Sequence, residues 1–508
     1  MNVIFVMSDT FRRDNLSCYG PAKAKTPRLD RFAAESFIFD NAITGSFPTI
    51  PNRLDIMSGR FSHIDHEWCP LPAKTVTLQQ ILTASGFVTQ MIADNPHLME
   101  MGFNYSRGFS ASEWIRGQET DLWKTAPKQI KLPTGGAKNR LLHFIVANYV
   151  RNTTWWTCEE DRFAPRTIQA ACRWLEENQD QEKFFLYLDL FDPHEPWDAP
   201  KKYLDLYEQG YHGEEVYYPQ YDFWREFLSE EELDHIRNLY LAEATMVDHW
   251  FGVLLDKVNE LGLSDDTAVI FVTDHGYLFG EHDLTGKSLM PERGDGVTLS
   301  YEAIHMYSDV RRIPLMIRLP GQRQGKHLSG LVQPPDLMPT ILEMAGLVAT
   351  EGVKGQARIQ TLQCGMFTAE DWEFNPETIH GKSMMPLMRG ETDRLRDIAV
   401  SSNTLTQHTP VLAKCAIVTE DGWCLHYAGK YDEAARGAKM YTNHLVDLDK
   451  VRISTAPALH CLREDPQEAR NVIEGNEGLA REIHRRYVAF LEEAGTPEEH
   501  LAGRTQLR

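Results

Sequence analysis

The chain has 508 residues, 42% hydrophobic and 25% charged, enough for one large α/β domain and a smaller companion. Its formal net charge of −21 excludes a surface built for nucleic acid or anionic membranes, although a local group of cations and a metal could still hold an anionic substrate. Eight cysteines without close metal-ligand spacing read as reduced, mostly buried thiols rather than a disulfide framework.

In chain order, Val3 to Met7 is a continuous apolar run, as expected of a strand buried on both faces. The start, Met1-Asn2-Val3-Ile4-Phe5-Val6-Met7, lacks the basic opening and long apolar core of a secretion signal. The run from Leu141 to Val150 is too short to span a bilayer, so a cytoplasmic location without membrane contact is expected. Residues from about 105 to 160 are irregular and rich in tryptophan (Trp114, Trp123, Trp155, Trp156). They read as an insertion that forms a substrate wall, an oligomer contact or simple loop packing. Phe184 to Leu188 is a second apolar run, ending at Asp189. A helical pattern from about Leu239 to Leu261 precedes a third run, Ala268 to Thr273, which ends at Asp274-His275-Gly276. This alternation predicts an α/β fold with a mostly parallel central sheet flanked by helices, whose sites lie at the carboxyl ends of strands. Asp9, Asp189 and Asp274-His275 occupy such positions. After Ile398 come shorter β-like runs, among them Val411-Leu412 and Cys415 to Val418, and then a polar helix near Gly478 to Ala494. The expected division is a catalytic domain over residues 1–397 and an α+β subdomain over 398–508.

Asp9 and Asp274-His275 could share one divalent ion with an alcohol oxygen. This mixed O/N set suits zinc or manganese better than calcium, which prefers all-oxygen shells. Taken singly these elements also read as a helix cap or a turn. Further polar groups follow in order. They are Thr49 with Arg53, His194 in Pro193-His194-Glu195-Pro196, His282 in Gly280-Glu281-His282, and Lys287. Together they supply a nucleophile, a metal, two cations and a proton donor, the inventory for transferring a tetrahedral anion.

Thr49-Ile50-Pro51-Asn52-Arg53, running on to Ser58-Gly59-Arg60, resembles the sulfatase signature of a nucleophile, a proline two places on and an arginine two further. Met7-Ser8-Asp9-Thr10 and Thr273-Asp274-His275-Gly276 resemble that family's two metal motifs, with Lys287 and His194 at its catalytic lysine and substrate histidine. Arg312-Ile313-Pro314-Leu315, His380-Gly381-Lys382-Ser383 and a closing Asp465-Pro466-Gln467-Glu468 to Asn471 are similar to less catalytic family marks. The chain is thus identified as resembling a sulfatase-type member of the alkaline phosphatase superfamily over nearly its whole length. The resemblance implies an ester hydrolase with one divalent ion on Asp9, Thr49, Asp274 and His275. It also implies a small anionic ester substrate, and assembly as a homodimer or tetramer. The family's Gly-Lys-Trp-His segment falls on Asp94-Asn95-Pro96-His97, which makes Asn95 and His97, with His282, candidate substrate-binding residues.

Three departures shape the expected chemistry. Thr10 stands where many sulfatases have a second aspartate, and His275 follows Asp274 as in phosphonate monoester hydrolases. More decisively, the family's nucleophile is a formylglycine made from Cys or Ser, and Thr49 cannot become that aldehyde. A threonine hydroxyl activated by a metal remains a competent nucleophile. The expected activity is therefore cleavage of a phosphate ester, phosphodiester or phosphonate ester through Thr49. The alternatives are a sulfatase working without formylglycine and a silent anion-binding protein. For a second ion, Asp192, His194 and His282 offer only partial ligands.

Overall fold

A computed structural model describes residues 1–291, 299–347, 354–360, 367–406, 413–429 and 451–507, with short pieces at 439–440 and 444–445. Eight strands form the main sheet: β1 (Asn2–Ser8), β2 (Phe37–Ala42), β3 (Val88–Ala93), β4 (Ala111–Trp114), β5 (Phe184–Leu190), β6 (Thr267–Val272), β7 (Leu315–Arg318) and β8 (Lys326–Val332). Their order is β8-β2-β7-β6-β1-β5-β3-β4. All run parallel except β7, which is antiparallel to both β2 and β6. Central β1 alternates across the two faces. Val3, Phe5 and Met7 join one apolar cluster, with Ile50, Leu54 and Met57 of helix α1 (Thr49–Ser58); Ile4 and Val6 join the other, against α2 (Phe163–Asn178) and α3 (Glu230–Glu260). A sheet covered on both faces requires strands that are apolar at every position, which is why these runs were continuous.

α3 starts nine residues before the apolar periodicity suggests. Ser229 accepts from the Glu232 amide while the Glu232 side chain returns to Ser229, and three glutamates occupy the first turn. A capping box and favourable dipole interactions thus extend the helix through a largely polar turn.

A separate antiparallel sheet is built from β9 (Ile398–Ser402), β10 (Lys414–Thr419), β11 (Trp423–Ala428) and β12 (Ala458–Cys461). Helix α4 (Glu477–Glu493) covers one face through Ile483, Tyr487 and Leu491. The run at Val411-Leu412, like Cys364, lies outside the described residues; the other seven cysteines are free thiols. Among the described residues, no helix is long and apolar enough to cross a membrane.

The closing segment is tied to the main sheet's side by Arg311, just ahead of β7. Its Nη1 donates to both Glu468 carboxylate oxygens at 2.8 Å, with both side chains fully buried. Arg311→Ala leaves that carboxylate without its cation and should cost about 3–5 kcal/mol, read as a lower urea midpoint.

Candidate active site

The carboxyl ends of β1, β5 and β6 present Asp9, Asp189 and Asp274 to a single guanidinium, that of Arg53 on α1. All four side chains are fully buried. Asp189 grips Arg53 in a fork, with Nε to Oδ2 at 3.1 Å and Nη2 to Oδ1 at 2.9 Å, and is itself held by Tyr187 Oη and Asn95 Nδ2. Arg53 Nη1 donates to Asp274 Oδ2, and Nη2 lies 3.1 Å from Asp9 Oδ2. Every arm of the guanidinium is thus engaged by carboxylates. Arg53, counted in the sequence as one of two cations for the anion, is spent on these carboxylates and does not line the cavity.

Asp9, Asp274 and His275 each bring one ligand atom within 4.8 Å of the others. Asp274 Oδ1 accepts the amides of Thr10 and His275, at 3.1 and 2.8 Å. Thr10, in place of a second aspartate, donates its hydroxyl to Asp9 Oδ1 at 2.8 Å, so it orients a ligand rather than being one. Asp9 Oδ2 is buried without a hydrogen bond. Burial and the neighbouring Asp274 carboxylate push the Asp9 carboxyl well above its ordinary range. Burial brings the His275 imidazole down to about 3, and its Nδ1 faces the Gly276 carbonyl at 3.0 Å, so Nε2 is the unprotonated nitrogen. Crowded carboxylates and a neutral imidazole that presents an unprotonated Nε2 fit a divalent cation. Among the described residues, no comparable set forms around Asp192, whose carboxylate is taken by Gln118 and the Ala164 amide.

Lys287 stands between this centre and an adjoining cavity of about 250 Å³, its Nζ 3.3 Å from His275 Nε2 and 2.8 Å from His194 Nε2. An ammonium only donates, so both Nε2 atoms are acceptors; His194 Nδ1 accordingly donates to the Glu195 carbonyl at 2.8 Å. Burial and the Lys287 cation hold His194 well below its ordinary pKa. The His194 ring is therefore neutral.

Thr49 opens α1 and lines the same cavity with His97, His194 and Lys287. Pro48, not Thr49, occupies the cap position, so Thr49 is not serving as the helix cap. The far wall is built largely by the tryptophan-rich segment and by residues nearer β6: Glu119, Arg140, Ile145, Tyr218 and Tyr221. Arg140 lies 4.3 and 3.9 Å from the Tyr218 and Tyr221 ring centres and 3.2 Å from Glu195. Burial alone would raise the Glu119 carboxyl, but His97, 3.0 Å away, and the Tyr218 hydroxyl bring it down to about 2. Neither Glu119 nor Arg140 is marked in the sequence by a motif, and the only signal was the position of the insertion.

Two expected substrate contacts lie elsewhere. Asn95 caps the short helix Pro96–Met99 by accepting from the His97 amide, and spends its Nδ2 on Asp189. It braces the acidic centre and does not line the cavity. His282 stacks on Tyr307 with ring centres 3.6 Å apart and lines a different cavity. A larger cavity of about 740 Å³, beside Arg60, His380 and Phe490, contains none of the active-site side chains.

The sequence model of the family described as Sulfatase matches residues 1–347. The ulvan-active sulfatase of Formosa agariphila is 24% identical over 363 residues, covering 70% of this chain but 63% of that protein, less than two thirds of its length. The multifunctional alkaline phosphatase superfamily protein PehA of Trinickia caryophylli is 24% identical over 436 residues, covering 73% of this chain and 78% of that one. Among solved structures, the phosphonate monoester hydrolase of Agrobacterium radiobacter superposes with a TM-score of 0.67 at 18% identity, covering 97% of this chain and 96% of that one, a likeness of fold.

The Thr10 hydroxyl is the one side-chain group orienting Asp9 Oδ1 among the described residues. Removing such a support typically weakens metal binding about 10–100-fold. Thr10→Val, which keeps the shape and the positive φ of 59°, should show that loss in zinc or manganese titrations by calorimetry.

Proposed function

We propose, from the premise that this chain belongs to the sulfatase family of ester hydrolases, that it cleaves a phosphate ester, phosphodiester or phosphonate ester with Thr49 as nucleophile. The observation that carries the reading is Thr49 itself. It sits at the first turn of a buried helix, on a cavity shared with Lys287 and His194 and beside the Asp9–Asp274–His275 group. Amide groups at a helix start favour an anion there. The metal-site histidine and the phosphonate monoester hydrolase among the structural neighbours point the same way.

A divalent cation held by Asp9, Asp274 and His275 would act as a Lewis acid, drawing charge from the ester oxygens and favouring ionisation of the Thr49 hydroxyl. Thr49 Oγ1, its proton passed to solvent, attacks phosphorus in line as the bond to the leaving oxygen breaks. Lys287 offers its ammonium proton to that oxygen, and neutral His194 holds the ammonium in place through Nε2. Arg53 keeps the three carboxylates fixed, so little reorganisation accompanies the charge movement. Water must then attack the phosphorus of the threonine ester, giving a proton to the Lys287 amine left by the first step as the bond to Thr49 Oγ1 breaks, because Thr49 has no aldehyde exit of the kind a formylglycine hydrate uses. Phosphorus accepts this second substitution; a sulfated threonine is expected to stall. The sulfatases among the relatives favour the second reading, hydrolysis of a sulfate ester without formylglycine.

Metal-loaded protein given matched aryl sulfate, phosphodiester and phosphonate monoester substrates should turn over the phosphorus esters faster. Thr49→Ala should lower kcat by about 10³-fold or more, as loss of a nucleophile does. A phosphate-mass adduct on the Thr49 peptide, trapped by acid quench, would accompany it. Equal rates for wild type and Thr49→Ala would remove Thr49 from the mechanism, and sulfate-ester turnover alone would favour the second reading. Inactivity on all three substrates would favour a silent anion-binding protein.

A further inference from the structure

Cys424 and His426 lie two residues apart on β11 and therefore point to the same side of the strand. Glu468, from the closing segment, meets them there. One ligand atom from each lies within 4.8 Å of the other two, and all three residues are buried. His426 Nε2 is 3.0 Å from Glu468 Oε1 and 3.9 Å from Cys424 Sγ. A nucleophilic triad relays a proton through opposite nitrogens of the imidazole. Here the thiol and the carboxylate approach the same nitrogen, so no relay is possible. Burial also pushes the Cys424 thiol well above its ordinary pKa, the reverse of an activated nucleophile. Convergence on one point is what ligands around a cation show. With bonds of about 2.0–2.3 Å to a tetrahedral zinc ion, sulfur and nitrogen ligands stand roughly 3.6 Å apart, and nitrogen and oxygen ligands roughly 3.3 Å. The two observed separations straddle those values.

The surroundings supply further donors. A cavity of about 360 Å³ is lined by His282, His305, His426, His460 and Glu468. The His305 and His460 rings lie 4.9 and 5.3 Å from that of His426. The Nδ1 atoms of His305, His426 and His460 are all buried without a hydrogen-bond partner, a cost that hydrogen bonding within the protein does not relieve. Burial and His426 hold His305 well below its ordinary pKa and bring His460 down to about 4, so both rings are neutral with open lone pairs. Arg311 and the Ser308 amide occupy three acceptor sites on Glu468, and the remaining one, on Oε1, faces His426 Nε2, where an ion would sit.

We propose that Cys424, His426 and Glu468, completed by His305 or His460, form a structural site for a zinc-class transition metal ion, separate from the Asp9–Asp274–His275 group. Imidazole and thiolate donors select such an ion over calcium or magnesium. On binding, the sulfur–metal bond forms as the Cys424 S–H bond breaks, and the proton passes to solvent. Cys424 and His426 come from the C-terminal sheet and His305 from the segment ahead of β7, so the ion would fasten the two together.

Cobalt(II) distinguishes the two centres, because the Asp9 group contains no sulfur. Chelator-treated full-length protein titrated with cobalt(II) should develop a saturable near-ultraviolet thiolate-to-cobalt absorption. That band should persist in Asp274→Asn and be lost in Cys424→Ser, with circular dichroism checking that each variant folds. Cobalt uptake by the wild type without the band overturns the proposal, whatever becomes of the variants. So does survival of the band in Cys424→Ser.

Discussion

Three carboxylates from three strand ends around one guanidinium is the arrangement on which the rest of the molecule depends. Asp9, Asp189 and Asp274 repel one another, and burial makes their charge still more costly. Arg53 relieves that repulsion only because it offers a fork to Asp189 and separate nitrogens to the other two, a distribution lysine could not reproduce. The same contacts fix the start of α1 against the carboxyl ends of β1, β5 and β6, and so fix where Thr49 stands. Even so, three carboxyl groups face one arginine and the nearby Lys287, and the raised Asp9 marks where a further cation would be most favourable.

Much of this was legible in the sequence, and the parts that were not have identifiable reasons. Asp9 and Asp274-His275 stood out because each ends an uninterrupted apolar run, and such runs are forced by a sheet covered on both faces. The role of Arg53 was misread because two of its partners lie 136 and 221 positions away, and no spacing rule reaches that far. His282 was misplaced for a local reason. It comes soon after the Asp274 strand end, but Gly280, His282 and Asp283 all have left-handed backbone angles, which turn the chain away and put the ring on Tyr307. Glu119 and Arg140 went unnoticed because an irregular segment has no periodicity from which to infer a direction.

Replacing formylglycine by threonine alters the demands on the surroundings more than the first attack. An aldehyde hydrate releases its product by its own collapse, whereas a threonine ester depends on water reaching the same phosphorus. On the proposed phosphoryl reading Lys287, held by neutral His194, would serve twice, as the ammonium that gives a proton to the leaving group and then as the amine that takes one from the incoming water. A carboxylate in the wall, Glu119, kept ionised by His97 and Tyr218, lies in the same cavity.

The division of labour around the cavity has an evolutionary corollary. Asp9, Asp189 and Asp274 hang from strand ends of the central sheet and Thr49 from one helix start, while Glu119, Arg140 and Ile145 come from the stretch between β4 and β5. Such a stretch can drift, lengthen or be exchanged without disturbing the acidic centre beneath it. On the proposed reading substrate preference would be modular in part: exchanging that stretch would alter the wall that Glu119, Arg140 and Ile145 form while the acidic centre stayed in place.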